Sequence, residues 1–176
     1  INAYQKFIES GKGNILNRDN APLQIEYCEN AKEIMKFPVN VSFENLGKNI
    51  NSKFADYFPF IPINESFILF NSKRNKNATE QADGSYASNI YLSQVKDGKY
   101  LKAEPVSKIN TPDGSEEIVG LKSNGEKAII YVNDFTDYGD LYECNISGLT
   151  FEELEKFDKN INTKNAEIAA CISNDE

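Results

Sequence analysis

A short phrase, Ile-Asn followed by Ser or Thr, recurs three times in this sequence of 176 residues. The three copies, named copy one, copy two and copy three below, begin at Ile50, Ile109 and Ile161 and lie 59 and 52 residues apart. Each copy leads into an acidic residue and then an apolar run, and the acidic residues are Asp56, Glu116 and Glu167. Repetition at such a period predicts an array of similar units, each of which covers its apolar surface with a neighbour.

The segments between the copies have the alternating apolar pattern of β-strands. Four strands are predicted in the first unit, at 54–63, 66–72, 89–95 and 100–106, and four in the second, at 117–122, 128–132, 140–146 and 151–157. Four strands per unit, with periods of about 40–50 residues, are typical of β-propeller blades. The predicted fold class is mainly β with an N-terminal helical pair, and residues 39–176 form a partial β-propeller of four-stranded antiparallel blades. Its blades span 50–107 and 109–158, and a third starts at 161–176. Because the sequence ends inside copy three, we expect it to be a piece of a larger protein.

The first 38 residues have a helical pattern instead. A short helix is predicted over 1–11, a polar loop over 12–20, and a second helix over 22–36 with Pro22 in its first turn. Two amphipathic helices of this kind predict that residues 1–38 are the end of a helical-repeat region. The next segment, 39–46, alternates Val39, Val41 and Phe43 with polar residues. It is predicted to be an outer closing strand that pairs with a strand outside this sequence.

Several segments resemble a known family. Residues 45–52, Asn-Leu-Gly-Lys-Asn-Ile-Asn-Ser, followed by Asp-Tyr-Phe-Pro at 56–59, resemble the WD-like β-propeller repeats of bacterial cell-envelope proteins. The same resemblance extends to residues 67–74, 83–86 and 89–91. Residues 1–38 are similar to the end of the tetratricopeptide region that often precedes such propellers. The resemblance implies a periplasmic, outer-membrane-associated protein, in some members part of the type IX secretion or gliding machinery. It also implies that peptidoglycan is bound only through an OmpA-like domain outside this sequence.

Composition restricts the kinds of chemistry and partner. The net charge is −8, from 19 basic and 27 acidic residues, which disfavours nucleic acid and anionic membranes as partners because both require clustered Lys and Arg. No apolar run approaches the roughly 20 residues of a membrane span. The sequence has no His, so catalysis by Ser-His-Asp or Cys-His groups is excluded within it. We interpret its three cysteines, Cys28, Cys144 and Cys171, as small buried apolar residues.

Three groups of side chains are candidate contacts. Tyr57, Phe58, Tyr91 and Tyr131 could form a platform for a sugar or a partner, although packing between blades also explains such aromatics. Asp134, Asp137 and Asp140 share one loop, where oxygen ligands could hold Ca²⁺, but they lack EF-hand spacing and are interpreted as a solvated acidic turn. Glu116 and Glu117 could serve glycoside hydrolysis, but equivalent acids in all three copies favour a structural role.

The function predicted from these observations is a non-catalytic protein-interaction scaffold in the periplasm, without a cofactor, metal or catalytic residue. Its partners would be other cell-envelope proteins, contacted through the helices and the loop 73–87. One alternative is a propeller that binds carbohydrate or peptidoglycan fragments. Another is a glycosidase whose catalytic residues lie in blades outside this sequence.

Overall fold

The fold was analysed in a computed structural model, which describes residues 1–112, 114–133, 135 and 138–173. The chain divides into two compact units, Ile1–Glu44 and Asn45–Glu176, and each is described by itself. The first unit is helical and the second consists of antiparallel sheets. The predicted class, mainly β with an N-terminal helical pair, is confirmed.

Two helices form the N-terminal unit. Helix α1 spans Asn2–Glu9 and helix α2 spans Ile15–Ile34. The predicted loop over 12–20 and the predicted helix start at Pro22 are wrong, because α2 begins at Ile15 and Pro22 lies inside it. The earlier start has a local cause: the side chain of Asn14 accepts a hydrogen bond from the backbone N–H of Leu16 at 2.7 Å and caps the first turn. Pro22 removes only one backbone N–H from the helix that follows.

The segment 39–46 forms no strand in this structure. Val39, Val41 and Phe43 are exposed, and Phe43 is 97% exposed. The strand predicted to pair with this segment was placed outside the sequence, so the closing strand stays a prediction.

Sheet 1 begins after copy one. Its three longer strands are β1 (Asp56–Phe60), β2 (Phe67–Ser72) and β3 (Asn89–Lys96), in that order and antiparallel. The predicted fourth strand over 100–106 is two short pieces, β4 (Lys99–Tyr100) and β5 (Glu104–Pro105), and both pair with β3.

Sheet 2 repeats this topology after copy two. Its longer strands are β6 (Ser115–Leu121), β7 (Lys127–Asn133) and β8 (Asp140–Ser147). The fourth position is again split, into β9 (Thr150–Phe151) and β10 (Glu155–Lys156), which both pair with β8. The first strand of each sheet has a register shift at the same place, between Tyr57 and Phe60 in β1 and between Ile118 and Gly120 in β6. The repeat in the sequence is therefore a repeat of sheet topology.

Two apolar clusters stabilise the sheets. The larger lies between them and combines Phe67, Leu69 and Ile90 of sheet 1 with Ile118 and Ile130 of sheet 2. The smaller contains Ile50, Ile68, Phe70, Tyr91 and Ala103. Since side chains alternate between the faces of a strand, Ile68 and Phe70 lie on the face of β2 opposite to Phe67 and Leu69. Sheet 1 is thus packed on both faces, and its second cluster is not shared with sheet 2.

Copy three has a different outcome from the first two. Within its described part, residues 161–173, no strand is assigned. Ile161 is exposed, whereas the corresponding Ile50 and Ile109 are buried. The described residues hold two four-stranded sheets, not a complete ring.

Candidate functional site

The Ile-Asn phrase forms the same turn in all three copies. In copy two the backbone N–H groups of Ile109 and Asn110 both donate to the carbonyl of Val106, at 3.0 Å each. Copy one uses the carbonyl of Gly47 and copy three that of Asp158, with distances between 2.8 and 3.1 Å. The phrase is therefore a turn that takes the chain from the end of one unit to the start of the next.

The asparagine of this turn binds a strand edge in two copies. Asn110 Oδ1 accepts from the backbone N–H of Ile90 at 2.8 Å, and its Nδ2 donates to the Ile90 carbonyl at 2.8 Å. Asn162 makes the same pair of bonds with Leu141, at 2.9 and 2.8 Å. Ile90 and Leu141 are both the second residue of the third strand of their sheet. The asparagine thus satisfies backbone groups where the short fourth strand does not reach.

The amide of Asn51, in copy one, has a different partner. Its Nδ2 donates to the side-chain oxygen of Asn45 at 2.9 Å, and this pair is exposed. The turn around Asn51 is nevertheless the same as in the other copies. The conformation of the turn therefore does not depend on the strand that its asparagine binds.

The acidic residue of copy one is held by several donors. Asp56 accepts hydrogen bonds from the backbone N–H and hydroxyl of Ser52, at 2.6 and 2.9 Å, and from the Ser72 hydroxyl at 2.6 Å. Arg74 donates to it at 2.6 Å in an ion pair that is mostly buried. Partial burial raises the pKa of Asp56, but the bonds from Ser72, Arg74 and Ser52 outweigh burial and leave the pKa below its ordinary value. This carboxylate is therefore ionised and already bonded at neutral pH.

The acidic residue of copy two has a drier environment. Glu116 is fully buried and accepts from the Thr111 hydroxyl at 2.6 Å, with Asn89 Nδ2 at 3.5 Å. Burial raises its pKa above the ordinary value, against the effect of the bonds from Thr111 and Asn89. A Cβ atom at position 114 would collide with Glu116 Oε1, so this close approach requires Gly114. Equivalent acids in the two sheets thus have pKa values shifted in opposite directions.

Copy three repeats the same pairing. The Thr163 hydroxyl donates to Glu167 at 2.7 Å and its backbone N–H at 3.1 Å. In each copy the acid therefore accepts a hydrogen bond from the Ser or Thr of the preceding phrase. A structural role accounts for the spacing of the repeat without any catalytic function.

Tyr57 lies where the two sheets meet. Its hydroxyl donates to Glu117 Oε1 at 2.7 Å and lies 3.0 Å from the Ser88 hydroxyl. Tyr131 is the cross-strand neighbour of Glu117, so these two candidate tyrosines flank one carboxylate. Burial, together with the adjacent Glu117, raises the pKa of Tyr57 far above its ordinary value, even though the Ser88 hydroxyl lowers it. The phenol is thus a neutral donor that joins sheet 1 to sheet 2.

The other candidate aromatics lie elsewhere. Tyr91 is buried in the smaller cluster, stacked on Phe70 with 6.1 Å between ring centroids, and the Arg74 guanidinium lies 4.8 Å from its centroid. Phe58 is 59% exposed and packs edge-on against Tyr57, at 5.3 Å between centroids. Tyr57 and Phe58 are therefore brought together, but Tyr91 belongs to a packed core.

The acidic loop is described only in part. Asp140 forms an ion pair with Lys156 at 2.6 Å, whereas Asp134 and Asp137 lie outside the described residues. Among the residues that are described, no group of three or more His, Cys, Asp or Glu side chains is arranged to hold a metal ion. Cys144 is buried as predicted, but Cys28 is only half-buried and Cys171 is exposed. The prediction for Cys171 is wrong because its segment is in no strand and packs within no core.

Sequence reasoning missed Asn71 and Arg74. Asn71 is fully buried at the junction of the sheets, where Oδ1 accepts from the Ile118 N–H at 2.8 Å and Nδ2 donates to the Ile118 carbonyl at 3.0 Å. Arg74 bonds Asp56 and the carbonyl of Ile50, which ties β2 to copy one. An asparagine inside an apolar strand, in Phe-Ile-Leu-Phe-Asn-Ser, was the available signal for the first.

Comparison with protein-family models, with curated proteins and with solved structures finds no match to this chain. Separately, neither described helix has the length and apolar character needed to cross a bilayer.

Proposed function

We propose that this chain is a non-catalytic protein-interaction scaffold, built as part of a β-propeller-like array of repeated four-stranded sheets. The observation that carries the proposal is the shared use of the repeat residues. In each copy the phrase makes one turn, and its Ser or Thr binds the following acid. The residues that recur are thus committed to joining and shaping sheets, which leaves function to the surfaces between the repeats.

The paired carboxylates illustrate this commitment. Glu116 is buried beneath Thr111, and Glu117 accepts the Tyr57 hydroxyl. A glycosidase needs two carboxyl groups that face a sugar from opposite sides of an open site. Burial of Glu116 opposes that role, so the geometry favours the scaffold over a hydrolase centred on these residues.

We place the scaffold in the cell envelope, with other envelope proteins as partners. The support for this location is the resemblance of residues 45–52 and 56–59 to propeller repeats of envelope proteins. The helical unit offers a further surface, because its apolar residues Leu16, Tyr27, Ile34 and Met35 are exposed. Exposed apolar residues grouped on one helix are typical of a face that packs against another helix. Peptidoglycan would be reached only through a domain outside this sequence.

The loop between β2 and β3 is the proposed contact surface of sheet 1. Some of its residues support the fold: Arg74 binds Asp56, and Ala78 and Ala87 are buried. Deletion of the whole loop would therefore damage the sheet. Lys76 and Glu80 are exposed and can be changed without that damage.

A pull-down from an envelope extract of the source cells tests the proposal. The bait is the whole chain carrying Lys76→Glu and Glu80→Lys, compared with the unchanged chain. A matched control carries Lys99→Glu, an equally exposed change in the β3–β4 hairpin. We expect the double variant to lose at least one partner that the control retains. The loop assignment is wrong if both variants keep every partner, and the scaffold proposal fails if the unchanged chain captures none.

A further inference from the structure

Copy one presents two groups whose counterparts in copy two are bonded to sheet 1. The first is the side-chain amide of Asn51, and the second is the residue two positions after the acid, Phe58. Their counterparts are Asn110 and Ile118. The comparison within the chain shows what kind of partner each group binds.

The amide of Asn51 lacks the strand that its counterparts bind. Asn110 and Asn162 each use one oxygen and one nitrogen to bind the backbone of the third strand in the sheet that precedes them. Asn51 has the same backbone turn, with its N–H 2.8 Å from the carbonyl of Gly47, but its amide bonds only the exposed Asn45. Its side chain is therefore positioned for the backbone of one further strand.

Phe58 lacks the cover that its counterpart has. Ile118 is 0% exposed because it packs in the cluster between the sheets and because Asn71, on β2, binds its backbone. Phe58 stands at the same distance from its acid and in the same bulge of the first strand, yet it is 59% exposed. A large exposed aromatic at a position that is buried in the next repeat indicates a surface awaiting a neighbour.

The counterparts also define the occupant. It must supply an asparagine near the end of a second strand, as Asn71 does, and an aliphatic residue at the start of a third strand, as Ile90 and Leu141 do. A second copy of this chain is a poor occupant. Its Asn71 is already bonded to Ile118, and its Ile90 and Leu141 are already bonded to Asn110 and Asn162.

We propose that Asn51 and Phe58 bind a further four-stranded sheet of the same repeat, which this sequence does not contain. Asn51 would hold the backbone of its third strand, and an asparagine of its second strand would hold the backbone of Phe58. The inference rests on the array in the proposed function, not on the scaffold role or the cellular location. It assigns to copy one the surface that receives the added sheet.

A peptide with the sequence of residues 66–96 is the probe, because this segment carries both Asn71 and Ile90. It is titrated into the whole ¹⁵N-labelled chain to about 2 mM, and the side-chain amide signals of Asn51 are followed by NMR. We expect those signals to shift, with binding in the millimolar range or tighter. The chain variant Asn51→Leu removes the amide, and Asn77→Leu makes the same change at an exposed asparagine as the matched control.

The expected pattern is about tenfold weaker binding to the Asn51→Leu chain, and unchanged binding to the Asn77→Leu chain. A peptide with an N-methyl group on its Ile90 residue lacks the N–H that Asn51 would accept, and it should bind as weakly. Absence of binding overturns the proposal. Equal binding to wild-type and Asn51→Leu chains also overturns it, because the peptide would then be displacing the chain's own hairpin. Either failure, beside intact partner capture from the extract, would leave the scaffold function standing.

Discussion

Replacing the asparagine of the repeated turn should destabilise the second unit in copy two but not in copy one. In Asn110→Leu the backbone N–H of Ile90 loses its acceptor, while the carbonyl of Ile90 keeps the bond from the Val106 N–H at 2.9 Å. Ile90 is 0% exposed, so water cannot replace the lost partner. An orphaned buried donor costs about 1–3 kcal/mol and the second lost bond about 0.5–1.5 kcal/mol. The free energy of unfolding should therefore fall by about 2–4 kcal/mol.

The same change in copy one is the matched control. Asn51→Leu removes only the exposed bond to Asn45, so its cost should be within about 0.5 kcal/mol. The assay is urea unfolding followed by far-UV circular dichroism, since the chain has no Trp to report by fluorescence. Equal costs for Asn110→Leu and Asn51→Leu would refute the reasoning, because they would show that the strand contact adds nothing to the turn.

Three further predictions concern ionisable groups. Glu116→Gln should raise stability at neutral pH, because a buried acid with a raised pKa stabilises the fold when protonated and loses that contribution as pH rises through the raised value; urea unfolding at pH 4 and pH 8 should show the gain only at pH 8. Asp56→Asn should cost about 2–4 kcal/mol at pH 7, because Arg74 loses its partner, and the cost should vanish as pH falls below the lowered pKa of Asp56; the same assay from pH 7 to pH 2 checks this, and a pH-independent cost would contradict it. Cys171 should react with a thiol reagent in the native chain while Cys144 does not, because burial raises the pKa of the Cys144 thiol to about 11; mass spectrometry of the labelled peptides separates the two, and equal labelling would be the contrary result.

The sheets could be predicted because their information is local. Alternation of apolar residues and turn pairs such as Asp97-Gly98 located β3 and its hairpin, and the repeated phrase separated the two sheets. The split of each fourth strand could not be predicted. It depends on where the chain leaves the sheet, and there Asn110 or Asn162 replaces the missing strand contact.

The start of α2 was mispredicted because two local signals competed. Pro22 suits the first turn of a helix, but Asn14 supplies a cap eight residues earlier. The site was predicted in outline: the equivalence of Asp56, Glu116 and Glu167 indicated a structural role. The opposite pKa shifts of Asp56 and Glu116 arise from Arg74 and from depth of burial, which are tertiary features that the repeated phrase does not encode.

Hydrogen exchange at the backbone amides of Ile90 and Leu141 tests the central claim most directly, because that claim makes the repeated asparagine a joint between the turn and the third strand. Both amides should exchange as slowly as those in the middle of β2 and β7, since a side-chain oxygen accepts each of them at 2.8 and 2.9 Å. Asn110→Leu should accelerate the exchange of Ile90 and leave that of Leu141 unchanged. Rapid exchange of Ile90 and Leu141 in the unchanged chain would contradict the account.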